Sequence, residues 1–102
     1  MAVSYVAELA AAIRAELAAD LVPDEGTEPL FLLYTLLALV KGIDVTSEDV
    51  HDAWATWMTW RGEAHESLVP FARLSAATRA EDDPFVAAIR RVAARRAQGP
   101  MR

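Results

Sequence analysis

Between Val50 and Phe85 the chain gathers the side chains best suited to chemistry. Trp54, Trp57 and Trp60 recur at three-residue steps, both histidines lie here, and a His65-Glu66-Ser67-Leu68-Val69-Pro70-Phe71 segment follows. Histidines with nearby carboxylates are the raw material of a metal site, and His51, Asp52, Glu63, His65 and Glu66 are the candidates. A helical ligand pair needs His-x-x-x-His or Glu-x-x-His spacing to share one face. His51 has no histidine or carboxylate three or four residues after it, and Glu63-x-His65-Glu66 falls in a loop, where spacing constrains little. No metal and no cofactor are expected. Nucleophilic catalysis needs a base held against the nucleophile, and Ser67 near His65 in sequence does not establish that. A Gly-x-Ser-x-Gly elbow, a phosphate loop and a glycine-rich dinucleotide turn are all missing. Glu81, Asp82 and Asp83 suit acid–base work or, equally, the capping of a helix. The expectation is a protein that is not an enzyme.

The aromatic residues offer a different chemistry. Trp54 and Trp57 at helical spacing read as core. Trp60 stands at a helix end beside Gly62, with Arg61, His65 and Phe71 close in sequence. There it either packs inward or stacks on a planar ring such as a nucleobase, which contributes about 1–3 kcal/mol per base. The expected binding site is therefore Trp60, Arg61, His65 and Phe71, with Trp54 beside them.

Helices must position these groups. Ser4 is an N-cap for a first helix to about Ala19, with Val6, Leu9, Ala10, Ile13 and Leu17 on one face. Asp20 to Gly26 reads as a loop around Pro23. Thr27 caps a second helix with Pro29 in its first turn; from Leu30 to Val40 it is apolar nearly all round, so it is expected at the centre, buried, and ended by Lys41-Gly42. Thr46-Ser47-Glu48-Asp49 is a capping box with aspartate as its fourth residue, opening a third helix to about Arg61. Residues 62–73 are expected to be irregular, with Pro70 holding Val69 extended. A short helix then runs to about Ala80, and Asp82 or Asp83 caps a last helix whose buried face is Phe85, Ala88, Ile89, Val92 and Ala93. Residues 98–102 are expected to fray. No segment alternates as a strand does. The expected fold is all-α: one domain of four main helices and one short one, divided as an N-terminal helical pair (1–49) and a segment 50–97.

Composition bounds the partners. At 102 residues and 54% hydrophobic, the chain supports one packed core and leaves apolar surface that a second copy could cover, so a homodimer is expected. A net charge of −5 argues against general nucleic-acid binding, which rests on neutralising phosphates. All fifteen acids lie in residues 1–84, while residues 85–102 hold five arginines and no acid. Arg90, Arg91, Arg95 and Arg96 either form a basic tail for an anion or acidic partner, or solvate the last helix and favour its negative end. The absence of cysteine excludes disulfides and thiolate sites and fits a reducing cytoplasm. Met1-Ala2-Val3 has no basic leader, and the longest apolar run is shorter than the ~20 residues that span a bilayer. A cytoplasmic protein without a membrane partner is expected.

Residues 50–90 resemble the ryanodine-receptor repeat domain, which also occurs in bacteria. His51-Asp52-Ala53-Trp54 matches its opening His-x-x-Trp, Gly62 its turn, and His65-Glu66-Ser67-Leu68-Val69-Pro70-Phe71 its His-Pro-x-Leu-Val-Pro-Tyr loop, followed by Leu74 and Glu81-Asp82-Asp83. Glu66 stands for the family's proline, Phe71 for its tyrosine, and the linker after the turn is shortened to Gly62-Glu63-Ala64. The whole chain is also similar to small proteins of actinobacteria and their phages, in keeping with one lysine against nine arginines. The resemblance implies a recognition module. Its partner would be a host or other protein docking at the end of the third helix and the His65–Phe71 loop. One alternative is a nucleotide-derived small molecule, sensed or sequestered. Another is a structural or inhibitory phage protein acting through an exposed helix face.

Overall fold

A computed structural model describes residues 4–22 and 26–98. Helix α1 spans Tyr5–Ala15 and starts where its cap dictates: the Ser4 hydroxyl accepts the Ala7 N–H at 3.0 Å. It ends four residues before the expected Ala19, although the alanine-rich sequence favours helix. Two tertiary contacts account for this. The Glu16 carboxylate is taken by Arg91 at 2.7 Å and Arg95 at 2.9 Å, from near the far end of the chain, and Leu17 turns in against the core. A single 3₁₀ turn, Ala19–Leu21, follows. Pro23, expected within the next loop, lies outside the described residues.

Helix α2 spans Glu28–Val40 with Pro29 in its first turn. Thr27 stands at the cap position, but its hydroxyl does not bond its own helix; it accepts from Arg14 Nη2 at 2.6 Å. Helix α3 spans Ser47–Arg61 and has the reciprocal box: Thr46 Oγ1 accepts the Asp49 N–H at 3.2 Å, and Asp49 Oδ2 accepts the Thr46 N–H at 2.8 Å. The same carboxylate oxygen meets the Lys41 ammonium at 2.9 Å. Burial pushes the Asp49 carboxyl up, but the bonds from Lys41 and Thr46 together outweigh it and hold the group below the usual range. Gly62, at φ 74°, ends α3 in the left-handed conformation that only glycine adopts freely.

The segment after Gly62 is irregular but tied down. It contains one 3₁₀ turn, Phe71–Arg73, and leads into the short helix α4, Ala76–Ala80. Helix α5 spans Asp83–Gln98, with the Asp82 carbonyl accepting the Val86 N–H at 3.0 Å. The rest of the tail expected to fray, residues 99–102, lies outside the described residues. The fold is all-α, with four main helices, one short one and no strand among the described residues.

Helix α2 packs against α1, α3 and α5, and the core forms along these three seams. Phe31 and Tyr34 of α2 meet Ile13 of α1, Val50 and Trp57 of α3, and Ile89 and Val92 of α5 in one buried cluster. The expected buried face of α5 holds except that Val86 is inside and Phe85 only half so. The expectation that α2 is buried all round is not met. Its three neighbours cover three sides of the cylinder, and Leu32, Leu36 and Val40 occupy the fourth, Val40 being 67% exposed; Ile43 prolongs the stripe. The arginines of α5 also do more than solvate it. Arg90 donates to the Val45 carbonyl at 2.8 Å, while Arg91 and Arg95 clamp Glu16 and hold its carboxyl below the usual range. No helix among the described residues is long and apolar enough to cross a membrane.

Candidate functional site

A partly enclosed cavity of about 280 Å³ opens between α2, α3, the segment after Gly62, and the α4–α5 turn. Helix α3 presents His51, Trp54 and Trp57 to it, three residues apart and therefore drifting slowly round one face. Phe31 and Tyr34 of α2 form the opposite wall, at 5.4 Å and nearly perpendicular, with Phe85 at 5.7 Å from Tyr34. His65 stands edge-on to Trp54, 5.1 Å between ring centres at 89°. The Glu81-Asp82 turn supplies the acidic edge.

Hydrogen bonds make this frame rigid. His51 Nε2 donates to the Val69 carbonyl at 2.7 Å, which pins the irregular segment to α3. A carbonyl can only accept, so Nε2 carries a proton. Arg79 donates to the Phe71 and Ala72 carbonyls at 3.2 and 2.7 Å and lies 5.0 Å over the Phe71 ring, fixing the 3₁₀ turn against α4. His65 Nδ1 accepts the Ser67 N–H at 3.0 Å. The Trp57 indole donates to the Gly26 carbonyl at 3.0 Å.

Other polar groups at the cavity have no hydrogen-bond partner among the described residues. Tyr34 lines the cavity and is 2% exposed, and its hydroxyl makes no hydrogen bond among the described residues. Nδ1 of His51, 3% exposed, likewise makes no hydrogen bond among the described residues. Burial, with a smaller contribution from Asp82, pushes the Tyr34 phenol far up. Burial also raises the Asp82 carboxyl to about 6; Glu81 and Asp83 add to that, while His51 opposes it. Asp82 can thus hold or release a proton near neutral pH. The hydroxyl-on-imidazole pairing of a nucleophile is absent among the described residues, since Ser67 meets His65 through its amide N–H. No group of three His, Cys, Asp or Glu is close enough to hold a metal ion among the described residues. Glu48 stands three residues before His51, a spacing for helical ligands, but it is exposed while His51 is buried.

The five residues expected at the site separate. Trp54 and His65 come together on the cavity wall. Phe71 is half-buried behind them, 6.0 Å from the His51 ring, and supports that histidine rather than offering a free face. Arg61 lies over Trp57 at 4.4 Å, outside the cavity lining. Trp60, 71% exposed, projects into a shallow depression with Asp52, Thr56 and Thr59 instead. A helix turns 100° per residue, so Trp60 cannot follow Trp54 and Trp57 onto the same face indefinitely. Sequence reasoning missed Tyr34, His51 and Asp82 as neighbours. His51 and Trp54 at i and i+3 were a usable signal; Tyr34 on α2 and Asp82 in the α4–α5 turn carried none.

Residues 4–94 match the model of a family described as Domain of unknown function (DUF7701). No curated protein and no solved structure matches the chain.

Proposed function

The chain belongs to the DUF7701 family, and for this member we propose a small recognition module, not an enzyme, that receives one side chain of a partner protein in the cavity between α2 and α3. The observation that carries the reading is the preformed aromatic cavity lined by Tyr34, His51 and Asp82, with the Tyr34 hydroxyl and the Asp82 carboxyl unpaired among the described residues. Its volume, about 280 Å³, lies just under the roughly 300–1,000 Å³ of sites for drug-sized ligands. That space suits a single side chain. The His65–Phe71 segment forms the rim against which the partner backbone lies, and the likeness of residues 50–90 to the ryanodine-receptor repeat points the same way.

The alternative, a nucleotide-derived small molecule, would use the aromatic walls for stacking. Its phosphates would meet Glu81 and Asp82, with no lysine or arginine in the lining among the described residues. Acid–base chemistry in the same cavity is a further reading, favoured by the raised Asp82 carboxyl alone. The cysteine-free composition is compatible with the cytoplasm of a bacterium or of a phage-infected host cell. Self-association as a homodimer would use the outer stripe of α2, Leu32, Leu36 and Val40, whose four-residue spacing is self-complementary across a two-fold axis.

Panning a random peptide library on the immobilised protein tests the central reading. Selected peptides should lose binding to Trp54→Ala and Tyr34→Phe and keep it with Trp60→Ala. Peptides indifferent to the cavity variants would defeat it, and a melting point raised by nucleotides but by no peptide would favour the sensor.

A further inference from the structure

The cavity lining selects the charge of what enters it. Glu81 and Asp82 are its ionisable edge, with Asp83 next in sequence, and no lysine or arginine among the described residues reaches the lining. Among the described residues the Tyr34 oxygen, an acceptor at the lining, has no hydrogen-bond partner, and the Asp82 carboxylate accepts no side-chain bond either. Walls of Trp54, Trp57, Phe31 and Phe85 add negative ring faces, which attract cations. Two of these rings already hold guanidinium groups from outside the cavity: Arg14 lies 4.6 Å from the Phe31 centre and Arg61 4.4 Å from that of Trp57. Trp54 and Phe85 have no such cation among the described residues.

We infer that the cavity takes a cation on an aliphatic stem, an alkylammonium or alkylguanidinium, presented as a lysine or arginine side chain of the partner. This rests on the recognition reading above and adds the chemistry of the recognised group. The stem packs between the aromatic walls, and the charged head reaches the Asp82 carboxylate and the Tyr34 oxygen. Burial of Asp82 without a partner is then the unliganded state of the site, and the cation supplies the missing counter-charge.

Titrations of the intact protein with n-butylammonium, n-butylguanidinium, 1-butanol and butyrate, followed at the Trp54 and Trp57 indole N–H resonances, separate charge from shape. The expected result is saturable shifts with both cations, at least about tenfold tighter than 1-butanol, and none with butyrate. Asp82→Asn should weaken the cations roughly tenfold and leave 1-butanol unchanged. Glu81→Gln, at an exposed position, should cause a smaller loss and serves if the Asp82 variant misfolds. Equal binding of 1-butanol overturns the inference but leaves the recognition reading with an apolar side chain. Preferential binding of butyrate overturns it in favour of an anion. No shift at Trp54 with any probe overturns it as well, and the recognition reading falls with it only if the selected peptides also ignore Trp54→Ala. A glycyl-lysyl-glycine amide that binds more tightly than n-butylammonium identifies the source as a peptide side chain; weaker binding assigns a free amine and overturns the partner's side chain as the source.

Discussion

Asp82 shows how one residue couples the cavity to stability. In the folded protein it keeps its proton up to about pH 6, against an ordinary value of 3.8. Between those values the folded state binds more protons than the unfolded one, so ionisation of Asp82 erodes stability as pH rises. His51 on α3 opposes the effect, Glu81 and Asp83 reinforce it, and Tyr34 and His65 complete the ionisable surroundings. Asp82→Asn should therefore stabilise the protein at pH 7 by about 1 kcal/mol, after discounting for a half-exposed group, and leave stability near pH 4 unchanged. Urea denaturation at the two pH values checks this; a loss of stability at pH 7 would mean the carboxylate is already paired. His51 has the opposite character, a buried group fully used on one side. His51→Ala strands the Val69 carbonyl and leaves a void, so about 2–4 kcal/mol of destabilisation is expected. Hydrogen exchange in residues 66–72 should rise with it, whereas Trp60→Ala, at 71% exposure, should stay within ~0.5 kcal/mol of the parent.

Among the elements, α3 owes both its ends to local chemistry, whereas α1 owes its C-terminal end to a distant contact. Thr46→Ala removes the Asp49 N–H acceptor of the capping box and should cost about 1 kcal/mol in thermal or chemical denaturation. Gly62→Ala should cost a similar ~1 kcal/mol, because φ 74° is strained for any residue with a Cβ, although nothing lies within 4 Å of one there. The end of α1 depends instead on Glu16. With its carboxyl held below the usual range by Arg91 and Arg95, Glu16 stabilises the fold above the ordinary carboxylate range, and this contribution disappears as acid protonates it. Glu16→Gln should lower the melting temperature at neutral pH, and the gap from the parent should close on acidification. A gap independent of pH would assign the effect to packing.

At the scale of the whole molecule, α2 is both keystone and surface. Its inner sides join α1, α3 and α5, while Leu32, Leu36 and Val40 leave an apolar stripe outside. The stripe lies apart from the cavity lining except that both use the same helix. If it joins two copies, Leu36→Glu should convert a dimer to a monomer in light scattering without lowering monomer stability. A parent protein that is monomeric at high concentration would remove the homodimer proposal and leave cavity recognition untouched.

The helices, most of their caps and the all-α class were legible in the sequence, because capping, left-handed glycine and apolar periodicity act over four residues or fewer. Ser4, the Thr46–Asp49 box and Gly62 lie where their chemistry requires. The tryptophan-bearing helix and the His65–Phe71 segment meet through Trp54 and His65, not through Trp60 and Arg61. Three matters belonged to the tertiary structure alone: where α1 stops, which side of α2 faces outward, and which groups share the cavity. Each depends on side chains far apart in sequence, Glu16 with Arg91 and Arg95, or Tyr34 with His51 and Asp82. Local spacing carries no record of such meetings; they are decided when the helices pack and the total burial is minimised in free energy.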